Sequence, residues 1–264
     1  MSFDDIRAAV AVALAIFLVV LRIDARRLGA AEYDEPDEWG RRPPFLPRLS
    51  WYLTGIALVI LVAFVHPDPT HGLLLGLGND RVVVLVVGVL FAAVGLAQAA
   101  ALAWVRYRRF RVPAAREYPG AILNSVGTAI VDEAAFRGVI LGLMLAVGVP
   151  ATTAIIAQAL IYVLATRVGA ERLGYTLLFT LGLGLAAGWV TVATGGIGAA
   201  VIGHATTRFA VFALTGHAAR LRPRGQEVEE IERVRLPPPG WQVIGSEEDQ
   251  EPPTDEQGRS GEGG

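Results

Sequence analysis

The stretch IVDEAAFRGVI, residues 130–140, places three charged side chains inside an apolar run that extends over residues 119–148. A membrane span needs roughly 20 apolar residues, so this run is long enough to cross a bilayer. A charged side chain at the centre of a span costs about 2.5–3.5 kcal/mol if it faces lipid. Asp132, Glu133 and Arg137 must therefore face the protein interior or a hydrated cavity, which makes them candidates for a functional site.

The chain as a whole has the composition of a membrane protein. Of its 264 residues 53% are hydrophobic and 18% charged, which is unusually apolar for a soluble domain. Because backbone polar groups find no water in lipid, spans of this kind are helices, and we predict an all-α, polytopic membrane helix bundle. The predicted transmembrane segments are seven: 6–23, 50–66, 82–105, 119–148, 151–166, 174–194 and 197–219.

The chain divides into three regions by composition. We predict N-terminal transmembrane helices with cytoplasmic loops over 1–118, a helical core over 119–219, and a disordered, acidic cytoplasmic tail over 220–264. The first hydrophobic segment follows acidic residues and precedes arginines, the reverse of a signal peptide, so we expect it to be a retained helix. The 119–148 segment is too long for one straight span, so it must tilt, break or extend beyond the bilayer, and PGAILNSVG, residues 119–127, is the candidate for a break.

Arginines predict how the chain is oriented. The 22–49 loop, in which we place Arg22, holds six arginines and the 106–118 loop holds five, whereas the intervening connections hold almost none. By the positive-inside rule, the N-terminus is outside and the C-terminus is cytoplasmic. The absence of lysine is typical of a GC-rich genome, so we expect the cell membrane of a bacterium.

Helical spacing relates the charged residues to one another. Glu133 and Arg137 are four residues apart and can pair on one face of a helix, while Asp132 has no local cation. In the last segment His204 and Arg208 are also four apart and share a face. The chain has no cysteine and no trio of ligands at metal-binding spacing, so we expect no cofactor, and a metal site has little support.

Two of these motifs resemble a known family. DEAAFRG resembles the E-E-x-x-x-R motif of the CAAX-protease and bacteriocin-processing family (CPBP, or ABI) of intramembrane endopeptidases. The later stretch GLAAGWVTVATGGIGAAVIGHATTR is similar to that family's last two helices, which end in H-x-x-x-N. The resemblance covers roughly residues 119–214 and implies a CAAX-protease-like fold for this part of the chain.

The resemblance also implies roles for individual residues. Asp132 stands in the place of the first motif glutamate, and Glu133, Arg137 and His204 match the family pattern directly. A glutamate-dependent enzyme would use Asp132 or Glu133 to activate water, with Arg137 orienting Glu133. His204 and Arg208, which replaces the family's asparagine, would then stabilise the oxyanion.

The family's intermediate F-x-x-x-H motif is altered in this chain. It falls on YVLAT, so Tyr162 takes the place of the aromatic residue and Thr166 that of the histidine. Threonine cannot accept a proton near neutral pH, and losing a positioned general base typically costs about 10²–10⁴-fold in rate. We also hypothesise that Arg208 pairs with the otherwise unpartnered Asp132 in a charge-balanced network.

Three functions remain open on the sequence alone. The first is a membrane-embedded endopeptidase that cleaves a peptide or membrane-protein substrate at or in the bilayer. The second is a catalytically degenerate relative that acts as a membrane scaffold or peptide-binding partner, and the third is a proton or ion pathway, against which stands the lack of an internal repeat. We expect no nucleic-acid partner in any of these cases.

Overall fold

The computed structural model describes residues 2–25, 27–30, 45–107, 119–167 and 174–215. Within these ranges every regular element is helical, which confirms the all-α prediction. The predicted tail over 220–264, the 106–118 loop beyond Tyr107 and most of the 22–49 loop lie outside the described residues. The helices are α1 (Phe3–Ile23), α2 (Phe45–Val65), α3 (Pro69–Gly72), α4 (Arg81–Tyr107), α5 (Pro119–Glu133), α6 (Gly142–Ala146), α7 (Ala151–Arg167), α8 (Gly174–Thr194) and α9 (Gly198–Thr215).

Each predicted hydrophobic segment coincides with a helix, or with the α5 to α6 series. In the part of the chain that the structure describes, four helices are long and apolar enough to cross a membrane: Phe3–Ile23, Phe45–Val65, Arg81–Val105 and Leu177–Thr194. Two further apolar helices, Ala151–Thr166 and Gly198–Leu214, are shorter. The chain is therefore a polytopic helical membrane protein. The count of seven spans and their orientation stay predictions.

The 119–148 segment departs from a regular α-helix at a different place from the one expected. The prediction of a break in PGAILNSVG is wrong, because α5 runs from Pro119 to Glu133 as one α-helix. Proline is tolerated in the first turn, where its missing N–H has no intrahelical partner to lose. The irregularity is instead a π-helical stretch, Ala134–Leu141, all of it buried, which joins α5 directly to α6. Such π-helical insertions are frequent at functional sites.

An irregular segment, residues 73–79, packs between the π-helical stretch and the turn that joins α8 to α9. The Leu74 amide donates to the Gly138 carbonyl at 3.0 Å, and the Ile197 amide donates to the Gly76 carbonyl at 2.9 Å. Glycines make this close approach of backbones feasible, because a side chain at Gly142 or Gly196 would overlap the segment. The segment thereby fixes the start of α9 against the π-helical stretch.

Gly196→Ala is expected to lower the free energy of unfolding by about 1–3 kcal/mol, as overpacking of a tight core does. An added Cβ would overlap the Gly76 carbonyl oxygen and lie 2.6 Å from the Gly78 nitrogen, and backbone atoms yield less than side chains. Gly182→Ala is the matched control, because nothing lies within 4 Å of its added Cβ. We expect that helical substitution to be neutral or to stabilise by up to about 1 kcal/mol. Equal losses in thermal melts of the two purified variants would contradict this packing.

Candidate active site

The centre of the site is the Glu133 side chain, at the junction of α5 and the π-helical stretch. Its Oε1 lies 3.1 Å from Arg137 Nη1 and 2.7 Å from His204 Nδ1. Glu133 and Arg137 are both completely buried. The ion pair expected from their four-residue spacing is therefore present, and α9 brings the His204 imidazole to the same carboxylate.

Asp132 lies beside Glu133 but has a different cation. Its Oδ1 is 3.2 Å from Nε of Arg22, which lies in the last turn of α1, and both side chains are almost fully buried. The hypothesis that Arg208 pairs with Asp132 is wrong, because the cation at Asp132 is Arg22, and Arg208 Nη2 instead donates to the Ala30 carbonyl at 3.1 Å. An arginine side chain one turn beyond His204 on α9 is thus directed to the backbone that follows α1.

Tyr162, on α7, connects Asp132 to His204 through its hydroxyl group. The hydroxyl donates to Asp132 Oδ2 at 3.4 Å and lies 3.4 Å from His204 Nε2. The Arg137 guanidinium carbon lies over the tyrosine ring, 4.4 Å from its centroid, and the Phe136 ring packs edge-on at 5.1 Å. The sequence assigned Tyr162 to the aromatic position of an altered motif, and the structure places its hydroxyl between the carboxylate and the imidazole.

The four charged groups of the site balance one another. Asp132 pairs with Arg22 and Glu133 pairs with Arg137, so two carboxylates face two guanidinium groups in a buried cluster. A buried ion pair gains little over an apolar pair, but removing one partner leaves a charge without compensation. The charge balance predicted from the sequence is therefore present, with Arg22 in the place proposed for Arg208.

Thr166 does not join this cluster by a hydrogen bond. Its Oγ1 has no hydrogen-bond partner among the described residues, and it lies one helical turn beyond Tyr162 on α7. Within the described ranges, no three His, Asp or Glu side chains lie close enough to hold a metal ion. The uncharged and acidic polar groups that the fold brings together by hydrogen bonds are Glu133, His204, Tyr162 and Asp132.

Sequence reasoning missed Arg22, which we had placed in the arginine-rich loop after the first helix. The buried face of α1 consists of Ala11, Ala15, Leu18 and Arg22. These residues are spaced by four, three and four positions, the repeat of one face of a helix. The signal was therefore present in the sequence, because an arginine that continues a stripe of small apolar residues faces the same core as they do.

The comparisons with known proteins address the segment that carries this site. Residues 114–210 match the family model described as type II CAAX prenyl endopeptidase Rce1-like. No curated protein and no solved structure matches the chain. The matched segment contains α5, the π-helical stretch and most of α9, and therefore both motifs on which the resemblance depends. Over residues 114–210 the chain is therefore similar to the family of type II CAAX prenyl endopeptidases.

Proposed function

We propose that this protein is a membrane-embedded endopeptidase in which the Glu133–His204 pair activates a water molecule for attack on a peptide bond. One observation carries the proposal: the 2.7 Å contact between Glu133 Oε1 and His204 Nδ1, two buried groups that lie 71 positions apart in the chain. A carboxylate hydrogen-bonded to an imidazole is the arrangement that orients histidine as a general base in hydrolases. The match of residues 114–210 to a family model of endopeptidases supports the same reaction.

The geometry supports a division of labour within the pair. Glu133 is paired with Arg137, and an ionised carboxylate can only accept hydrogen bonds. The proton that they share therefore lies on His204 Nδ1, which leaves the lone pair of Nε2 to accept a proton from water. Glu133 then stabilises the imidazolium that forms, while Arg137 holds the carboxylate in place.

The departures from the family motif are consistent with this assignment. Asp132, in the place of the first motif glutamate, is bound by Arg22 and Tyr162. Thr166, in the place of the intermediate histidine, has no titratable group. We propose that the base function implied for positions 132 and 166 passes to Glu133 and His204, which are already in contact.

A non-catalytic scaffold is the competing function, and a specific observation favours it. The two buried ion pairs of the site form a charge-balanced cluster, and such a cluster can fix helix packing without any reaction. A scaffold of this kind would bind a peptide or a membrane protein without cleaving it. The two functions differ in what removal of Glu133 or His204 does to peptide cleavage.

Purified protein in detergent micelles, incubated with a membrane-tethered fluorogenic peptide library, tests the proposal. We expect wild-type protein to cleave a subset of the library, and Glu133→Gln and His204→Gln each to lower the rate by about 10²–10⁴-fold, as loss of a general base does. Ser125→Ala is the matched control on α5, because the Ser125 hydroxyl is buried and has no hydrogen-bond partner among the described residues. That variant should cleave at the wild-type rate.

Thermal melts of all variants separate lost chemistry from lost folding. His204→Gln removes the base without leaving a carboxylate unpaired, since Glu133 keeps Arg137. Folded wild-type protein that cleaves no peptide, or folded Glu133→Gln and His204→Gln variants that cleave as fast as wild type, would overturn the proposal. The first of these outcomes would favour the scaffold.

A further inference from the structure

The polar group that faces the catalytic nitrogen proposed above is the hydroxyl of Tyr162. Its oxygen lies 3.4 Å from His204 Nε2 and 3.4 Å from Asp132 Oδ2, and its single proton is donated to Asp132. Both distances exceed the roughly 2.7–2.9 Å of a strong hydrogen bond to oxygen or nitrogen. The hydroxyl can therefore exchange either partner for a closer acceptor at little cost.

The two side chains that the family resemblance assigns to the oxyanion, His204 and Arg208, already contact other polar groups of this chain. His204 directs Nδ1 to Glu133 and Nε2 to Tyr162. Arg208, which stands in the place of the motif asparagine, donates Nη2 to the Ala30 carbonyl at 3.1 Å. The Tyr162 hydroxyl, 3.4 Å from the proposed base nitrogen, can therefore serve as a donor to the oxygen that becomes negative when water adds to the peptide carbonyl.

We infer that Tyr162 is a catalytic residue whose hydroxyl donates a hydrogen bond to this oxyanion. This inference rests on the proposed endopeptidase function and assigns one further group to it. In the first step the water oxygen forms a bond to the carbonyl carbon, the π electrons move to the carbonyl oxygen, and the water proton passes to His204 Nε2. Tyr162 turns its hydroxyl from Asp132 to the new oxyanion and keeps its own proton.

The second step returns the proton. The oxyanion re-forms the carbonyl, the carbon–nitrogen bond breaks, and His204 Nε2 gives its proton to the leaving amine. The products are a carboxyl group and a free amine, and the Tyr162 hydroxyl returns to Asp132. Tyr162 thus contacts the reacting oxygen throughout without a net gain or loss of a proton.

The surroundings of Tyr162 hold this donor in place before the reaction. The side chain is 2% exposed, the Arg137 guanidinium covers one ring face, and Phe136 and His204 contact the ring edge-on. A donor that is already oriented in a site without bulk water stabilises developing charge more than one that must reorganise. The ring contacts do not involve the hydroxyl, so Tyr162→Phe removes the donor and preserves the packing.

Tyr162→Phe is expected to lower kcat by about 10²–10³-fold, the loss found when one oxyanion donor is removed, and to leave KM unchanged. The assay uses the library peptide that wild type cleaves best. A phosphinate analogue of that peptide imitates the tetrahedral oxyanion, and its affinity should fall by a factor similar to that in kcat. If the Tyr162 hydroxyl has only a structural role, its removal would change neither kcat at constant KM nor the affinity for the analogue.

Tyr52→Phe is the matched control. It removes another part-buried tyrosine hydroxyl of the bundle, one that donates to Asn124 at 2.6 Å, and we expect kcat and analogue affinity to remain at wild-type values. Should Tyr162→Phe fail to fold, 3-fluorotyrosine at position 162 keeps the ring and the hydroxyl. Its more acidic phenol is a stronger hydrogen-bond donor, so we expect it to raise kcat and the affinity for the phosphinate analogue above the wild-type values.

The outcomes separate this inference from the function on which it rests. If Glu133→Gln is inactive while folded Tyr162→Phe retains wild-type kcat, or if 3-fluorotyrosine fails to raise kcat and analogue affinity, the oxyanion role of Tyr162 is overturned and the endopeptidase function stands. If wild-type protein cleaves no peptide of the library, the proposed function fails and the role of Tyr162 falls with it.

Discussion

Arg137→Met is expected to lower the free energy of unfolding by about 3–5 kcal/mol, the loss found when one partner of a buried ion pair is removed, and to abolish peptide cleavage. Arg137 is completely buried and its Nη1 lies 3.1 Å from Glu133 Oε1. Methionine fills much of the arginine volume without its charge, so Glu133 would keep His204 as a partner but lose its permanent cation. The guanidinium also covers the Tyr162 ring, and its removal would loosen the site on a second side.

Unfolding by sodium dodecyl sulfate in mixed micelles measures this loss, and a double-mutant cycle identifies its cause. Glu133→Gln combined with Arg137→Met removes both charges, so we expect the double variant to be more stable than the sum of the single losses predicts. Arg27→Met is the control, because Arg27 pairs with Asp24 on an exposed surface and such pairs contribute at most about 1 kcal/mol. Strict additivity of the Glu133 and Arg137 substitutions would contradict a direct pair.

The helices were predictable because lipid restricts the chain to one kind of regular structure. Apolar run length is enough to locate a span when every backbone polar group must be satisfied within it, and the described helices follow the predicted segments closely. The π-helical stretch was not predictable in this way. The π-helical stretch packs against residues 73–79, where the Leu74 amide donates a hydrogen bond to the Gly138 carbonyl. A hydropathy pattern contains no information on such a contact.

The site was predictable where spacing along one helix decides the contact. Glu133 and Arg137 lie four residues apart and pair as expected, and the motif resemblance placed His204 in the same site. The partner of Asp132 depends instead on which helix packs beside α5, and only Arg208 was proposed from the sequence as a candidate. Arg22 was missed because it was counted among the arginines of the 22–49 loop. Its spacing from Leu18 and Ala15 nevertheless places it on the buried face of α1.

The assignment of Arg22 has an energetic consequence that Arg208 would not share. Arg22→Met is expected to lower the free energy of unfolding by about 3–5 kcal/mol, because it leaves the Asp132 carboxylate buried without its cation. Arg22 Nε lies 3.2 Å from Asp132 Oδ1, and the guanidinium also lies 6.0 Å from the ring centroids of Trp51 and Tyr162. Since α1 lies outside the segment that matches the family model, this loss would show that a helix beyond that segment completes the site.

Asp132→Asn provides the rescue that distinguishes this ion pair from packing alone. In the Arg22→Met, Asp132→Asn double variant neither charge remains, so we expect most of the loss caused by Arg22→Met to be recovered in unfolding experiments in mixed micelles. The same cycle between Asp132 and Arg208 should give a much smaller coupling free energy, because Arg208 Nη2 donates to the Ala30 carbonyl. A larger coupling of Asp132 to Arg208 than to Arg22 would show that α9, rather than α1, supplies the cation. In that case both cations that balance Asp132 and Glu133 would come from residues 114–210, the segment that matches the family model.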